Sequence, residues 1–155
     1  MADTASRRRV LTALMIAQVM AGLAHGVTYS MGALLSADMA GAAWGGAAST
    51  VTTIGAGLWA IPLARIVQRR GRRASLSTGL ALGSLGAASA LVGAQTDLYP
   101  FVLLGFFFLG AAVAMNLQSR FAAADVTDEK HKGRDISLVV WATTVGAVLG
   151  PNLFG

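Results

Sequence analysis

The feature that most constrains this chain is a repeated one: five runs of about twenty or more predominantly apolar residues, at Val10–Leu35, Ala47–Val67, Ala74–Gly93, Leu98–Ser119 and Ile136–Gly155. An α-helix rises 1.5 Å per residue, so about 20 such residues cross the roughly 30 Å of bilayer hydrocarbon. The links between runs are short, from Ala94–Asp97 to Arg120–Asp135, and none has room for a second domain. Consecutive spans joined in this way pack as antiparallel neighbours. The expected fold class is all-α, a polytopic membrane helix bundle of about five transmembrane helices over 10–155, preceded by a tail at 1–9. Arg7–Arg9 ahead of an apolar stretch also suits a secretory signal. The run continues to Leu35, however, and four more follow, so a retained first helix is expected.

Charge decides which kind of basic protein this is. The net charge of +5 and pI near 10.8 would suit a nucleic-acid binder, which spreads Lys and Arg over a solvated face. Here the twelve basic residues fall in three clusters, Arg7–Arg9, Arg65–Arg73 and Arg120–Arg134, and mean hydropathy is +0.63. If the N-terminus is cytoplasmic, all three clusters lie inside, whereas the outer connections Ser36–Gly46 and Ala94–Asp97 hold no Lys or Arg. Trp44 and Tyr99 stand where the chain re-enters from outside, as interfacial aromatics do. The lipid bilayer, not nucleic acid, is therefore the expected partner, and the location is the cell (inner or plasma) membrane, multi-pass. There is no cysteine, which excludes disulfides and thiolate metal sites. No P-loop, dinucleotide fingerprint, His/Glu metal spacing or nucleophile elbow occurs, so no catalytic residue, cofactor or metal is expected and the chain does not read as an enzyme.

Three segments carry finer information. Gly22/Gly26, Gly79/Gly83 and Gly146/Gly150 are small-xxx-small pairs, read as places where helix backbones approach closely. The link from Ala64 to Arg73, with Gln68, Arg69, Arg70, Gly71, Arg72 and Arg73, cannot enter hydrocarbon at about 2.5–3.5 kcal/mol per guanidinium and pins two helix ends at the inner surface, with Gly71 supplying the turn. In the first span Gln18, Gly22, His25 and Tyr29 share one helical face. A polar stripe in a membrane helix faces the bundle interior or a water-filled cavity. His25 is the candidate proton carrier; an interhelical hydrogen bond or a reach toward the outer interface is the blander alternative. Asn116 and Arg120, one turn apart late in the fourth span, are the other cavity candidates. His131 sits among solvated charges, and Thr143 and Thr144 suit either the cavity or a bond to the preceding turn.

The link resembles the signature G-x-L-A-D-R-x-G-R-R of the major facilitator superfamily, with Arg69, Gly71, Arg72 and Arg73 matching, Ala64 in place of the leading glycine and Gln68 in place of the acid. In that family the acid belongs to a charge network holding the cytoplasmic side closed, so the resemblance implies altered gating here. It also implies a pair between Arg72 and Asp125, which two solvated charges at a helix end would equally explain. Gly146, Gly150, Pro151 and Gly155 resemble the G-x-x-x-G-P-x-x-G-G element of the superfamily's drug/proton antiporters, with Phe154 for the first terminal glycine. Phe106 and Leu109 stand where many members carry an arginine and a glutamine before Gly110. The resemblance implies a small-molecule transporter, drug or metabolite efflux coupled to protons by alternating access, with protons and a small molecule as partners. Alternatives are a nutrient symporter of the same superfamily and a truncated interaction subunit without transport. The fifth run ends at Gly155, so an N-terminal part of a longer protein, or a truncated product, is expected, with a C-terminal half outside this chain.

Overall fold

A computed structural model describes residues 4–125, 137, 141 and 144–149, with side chains at 12, 15 and 16, over 18–117 and at the later positions. Helix α1 runs Thr4–Ala40, a 3-10 turn Ala42–Trp44 follows, α2 covers Ala47–Gln95 and α3 covers Tyr99–Asp125. The described residues fold as helix and turn, the all-α architecture expected of five apolar runs. Two compact units divide them, Tyr29–Met115 and Met1–Thr28 with Asn116–Gly155.

Helix α1 stops where Gly41 takes φ 98°, its N–H donating to the Ala37 carbonyl at 2.9 Å. The expected outer connection Ser36–Gly46 is therefore shorter than its polarity suggested, because nothing in Ser36–Ala40 breaks a helix and Ser36 is fully buried. The joint between α2 and α3 closes differently. Asp97 adopts φ 53°, a conformation Asp tolerates, and the Leu98 N–H donates back to the Gly93 carbonyl at 3.0 Å.

Helix α2 has 49 residues, which as a straight rod would measure about 73 Å and overrun the bilayer twofold. It does not run straight. At Gly71 the backbone leaves helical geometry with φ 82° and ψ 171°, and the chain doubles back. The Ser75 hydroxyl donates to the Leu63 carbonyl at 3.0 Å, although twelve residues of straight helix would hold them about 18 Å apart. The arginine link thus has only one non-helical residue, since Arg and Gln are good helix formers and the turn needs Gly71 alone.

Within Tyr29–Met115, α3 lies between the two arms of α2. The second arm meets it in antiparallel register: a Cβ on Gly83 would meet Ala112, one on Gly86 would meet Gly105 and Leu109, and one on Gly93 would meet Val102. The first arm meets α3 in parallel register, with Gly55 against the Phe107 backbone, Trp59 stacking near Phe107 and Phe108, and Leu63 in a buried cluster with Ala111, Ala114 and Met115. The C-terminal part of α1 seals the other end through Gly32, over which Phe106 and Ala48 close. Glycine serves here by absence of bulk, since helix axes come close enough for dispersion contact only where no side chain intervenes.

In the unit of Met1–Thr28 with Asn116–Gly155, Gly146 packs on Val19, Gly22 and Leu23 of α1, so close that a Cβ would strike the α1 backbone. The glycines read from sequence as packing positions do meet partners at Gly22/Gly146, Gly79 and Gly83.

The outside of the molecule is apolar. Leu80 is 65% exposed, Leu34 64% and Leu85 62%, an arrangement a water-soluble domain of this size avoids. Among the described residues, Ala42–Gln95 and Tyr99–Leu117 are apolar and long enough to cross a membrane, and only 22% and 39% of their most apolar windows are buried in protein. The remaining apolar surface is the face that hydrocarbon solvates.

Candidate functional site: the basic hairpin and the polar face of α1

The hairpin is built from the Gly71 backbone outward. Its φ and ψ fall in a region open essentially to glycine alone, so no other residue makes this turn without strain. Arg65, Gln68, Arg69 and Arg70 end the first arm, Arg72 and Arg73 begin the second, and all are exposed. Directly beneath the turn, Ser75 is fully buried between the Leu63 carbonyl and the Met115 sulfur, 3.5 Å away. This junction ties both arms and α3 together at the level where the arginines emerge. Sequence reasoning missed Ser75; its one signal was a small hydroxyl residue two positions past an arginine run and four before Gly79.

On α1 the four expected positions differ in environment. Gln18 is 3% exposed and Gly22 buried, whereas His25 is half-buried and Tyr29 is 38% exposed. The His25 Nδ1 lies 2.6 Å from the Ala21 carbonyl oxygen one turn earlier. A carbonyl only accepts, so Nδ1 carries hydrogen in this contact, and in the neutral ring the lone pair is on Nε2. The bond is within the helix and favours the tautomer with hydrogen on Nδ1.

Of the other expected residues, Asn116 is half-buried in the second half of α3. The side chains of Arg120 and Asp125 and the whole of Gly150, Pro151 and Gly155 lie outside the described residues, as does His131. Phe106 is 5% exposed and packs on Gly32, so the position where an arginine was looked for forms part of an apolar core with Ala48 and Val102. Trp44 and Tyr99 pair edge to face, ring centroids 6.1 Å apart, where α2 and α3 lie close to their links at Ala42–Trp44 and Thr96–Leu98. Among the described residues no group of three or more His, Asp or Glu is placed to hold a metal ion.

An apolar-surfaced helical bundle with a short basic hairpin and a polar face on one span defines a polytopic integral membrane protein. The chain belongs to the Major Facilitator Superfamily, whose family model matches residues 14–155. Members of this superfamily are membrane transporters, not enzymes. Among curated relatives, the chain is 37% identical over 149 residues to the uncharacterized MFS-type transporter YdeG of Bacillus subtilis (strain 168), covering 94% of this chain and 34% of that protein. It is 34% identical over 147 residues to the uncharacterized MFS-type transporter YddS of the same strain, with the same coverage of both. A more distant likeness, 28% over 157 residues, is to the riboflavin transporter RfnT of Brucella anthropi, covering 99% of this chain and 39% of that protein. The chain spans about a third of the length of the first two relatives. No solved structure matches it.

Proposed function

We propose that this chain forms the first five helices of the N-terminal half of a secondary transporter that exports a drug-like small molecule in exchange for protons by alternating access. The observation that carries the coupling is His25. It is a half-buried imidazole in a membrane helix, its Nδ1 hydrogen-bonded to the Ala21 carbonyl one turn earlier. An ionisable group retained within a membrane span is costly unless it serves a pathway, and Gln18, buried two turns earlier on the same helix, extends the polar surface.

Protonation then acts by bias. Two conformations of nearly equal free energy exchange when a ligand favours one, and a charge gained on His25 favours whichever arrangement hydrates it. The arginine hairpin, for whose cytoplasmic side the charge asymmetry of the links speaks, carries the inner gate, with Arg72 pairing to Asp125 in the closed form. Such a partly exposed pair contributes about 0–1 kcal/mol, enough to tilt a balanced equilibrium and too little to lock it. Gln68, unable to carry charge, leaves this gate weaker than an acid would. Rocking of this half against the rest of the transporter about a midplane site supplies access to each side in turn.

The test uses the full-length protein containing this chain, reconstituted in liposomes with an imposed pH gradient, and follows dye or drug flux together with internal pH. His25→Gln is expected to abolish gradient-driven accumulation while leaving downhill flux of the same substrate. Proton coupling that persists unchanged in that variant refutes the reading. A nutrient symporter has one observation in its favour, the likeness to a riboflavin transporter, and gradient-dependent riboflavin entry in the same liposomes would establish it instead.

A further inference from the structure

Among the described residues three hydroxyl side chains are fully buried, Ser36, Thr52 and Ser75. Two give their hydrogen to a carbonyl, Thr52 to Ala48 at 2.7 Å and Ser75 to Leu63 at 3.0 Å. Ser36 gives its hydrogen to nothing in the protein. A hydroxyl side chain inside a helix has the carbonyl of its own preceding turn within reach, here that of Gly32, and Thr50, Thr53 and Thr78 use theirs. The Ser36 Oγ has turned away from that carbonyl, and with the side chain wholly enclosed it faces the packing of α1 on its neighbours. A buried hydroxyl without a partner bears its full desolvation cost, and a bundle set in hydrocarbon has no solvent at its flanks to relieve it.

A second hydroxyl in the same state lies close by. Tyr99 begins α3 and packs, with Leu35 and Met39 of α1, on the buried cluster of Ala48, Val102 and Phe106; its hydroxyl oxygen is buried and has no partner. The register of the two helices follows from their contacts. Helix α1 turns into the first arm of α2, which runs parallel to α3, so α1 and α3 are antiparallel. A Cβ on Gly32 would meet the Phe106 ring, which sets these two residues level. Ser36, one turn on, then stands level with Val102, and Tyr99 is three residues further, about 4.5 Å along the axis. Neither hydroxyl bonds the other. One water, about 2.7–2.8 Å from each of two hydroxyls, spans about 4.5–5.5 Å between them.

We infer that Ser36 and Tyr99 hold a structural water between α1 and α3, an internal polar clasp in a crossing otherwise formed by Gly32, Ala48, Val102 and Phe106. The site takes water and no larger ligand, because Gly32 has no room for even a methyl group beside Phe106 and Ala48. Each hydroxyl both donates and accepts, so the water takes a hydrogen from one and gives one to the other. Water reaches the site from nearby: Ser36 stands four residues, about 6 Å, before the end of α1. The clasp supplies what apolar packing in lipid lacks, a directional contact that selects one register. It depends only on how α1 packs on α3 and stands whether or not the transport reading does.

The test is millisecond X-ray radiolysis of the full-length protein in nanodiscs, read by mass spectrometry, because hydroxyl radicals formed from a bound water oxidise the side chains touching it even where bulk solvent is excluded. Val102 and Phe106 are expected to oxidise several-fold faster, after correction for intrinsic reactivity, than the similarly buried Leu63. Ser36→Ala and Tyr99→Phe should each bring both rates down to that of Leu63, and each should lower the thermal unfolding midpoint. The double variant should fall no further than the lower of the two single ones, because one water serves both hydroxyls. Wild-type rates at Val102 and Phe106 no greater than at Leu63 overturn the proposal, whatever the fate of the variants. So does a Ser36→Ala protein that keeps the fast rates, or one that unfolds at a higher temperature than wild type, the result of removing a hydroxyl that had been buried dry.

Discussion

Replacing Gly110 by alanine adds a single methyl group to α3, and the structure says what that methyl meets. Its Cβ would stand 2.5 Å from the Ala56 nitrogen, and 2.6 Å from both the Gly55 carbonyl carbon and the Thr52 oxygen, about 0.9 Å inside the nearest ordinary contact. All three are backbone atoms of the first arm of α2, so no side chain can rotate away. The arm and α3 must separate by most of that distance. A radial gap of 0.5–1 Å forfeits a quarter to a half of the dispersion energy across the contact, and overpacking of this kind costs about 1–3 kcal/mol. Rigid backbone on both sides puts Gly110→Ala in the upper part of that range, a shift of about thirtyfold in the folded-to-unfolded ratio at 2 kcal/mol. Gly57→Ala is the internal control: it lies on the same arm with nothing within 4 Å of its Cβ, and alanine there should be neutral or gain up to about 1 kcal/mol from helix propensity. Both variants are compared with wild type by denaturant unfolding in the same detergent. Equal stability of Gly110→Ala and wild type, or equal damage from the two substitutions, would refute the claim that backbone contact at this crossing holds α2 to α3.

Gly71→Ala places a side chain at φ 82° and ψ 171° and is expected to cost about 1–3 kcal/mol, seen as a lowered unfolding midpoint; Gly71→Asn should not rescue it, because this is not the left-handed helical region that Asn tolerates. Ser75→Ala removes the hydroxyl bond to the Leu63 carbonyl and is expected to cost about 0.5–1.5 kcal/mol, with faster amide exchange near the hairpin as its local signature. Gln68→Asp restores an acid beside Arg69 and Arg72. A tighter inner gate should then appear as slower labelling of cysteines introduced on the cytoplasmic side of the pathway in the full-length protein, and faster labelling would contradict the gate.

The helices and their membrane setting were legible because the bilayer imposes a length and a polarity on every span, and both are written locally. Ala47–Val67 and Ala74–Gly93 reappear as the two arms of α2, and Leu98–Ser119 as the body of α3. The hairpin was legible for the same reason: five arginines cannot enter hydrocarbon, and the glycine among them marks the turn. What misled was the assumption that polar links are loops. Arg69, Arg70 and Arg72 are helical, and α1 continues to Ala40, because helix propensity is high in Arg, Ala and Met and no residue there interrupts it. The candidate site was legible as a set of residue types on α1 but not as environments. Equivalent helical spacing did not foretell that Gln18 is buried while Tyr29 is exposed.

Sequence alone determined that this is an all-helical membrane protein and which superfamily its motifs resemble, since both follow from local composition and spacing. Only the tertiary structure decided which glycines meet which partners: Gly55 with Phe107, Gly86 with Gly105, Gly146 with Gly22. It also decided that Phe106 closes over Gly32 and that Ser75 reaches the Leu63 carbonyl. The physical reason is that lipid tails are as apolar as the side chains they solvate, so burial does not select one helix face over another. Register is chosen by close contact between backbones, a property of two helices together that neither segment carries by itself.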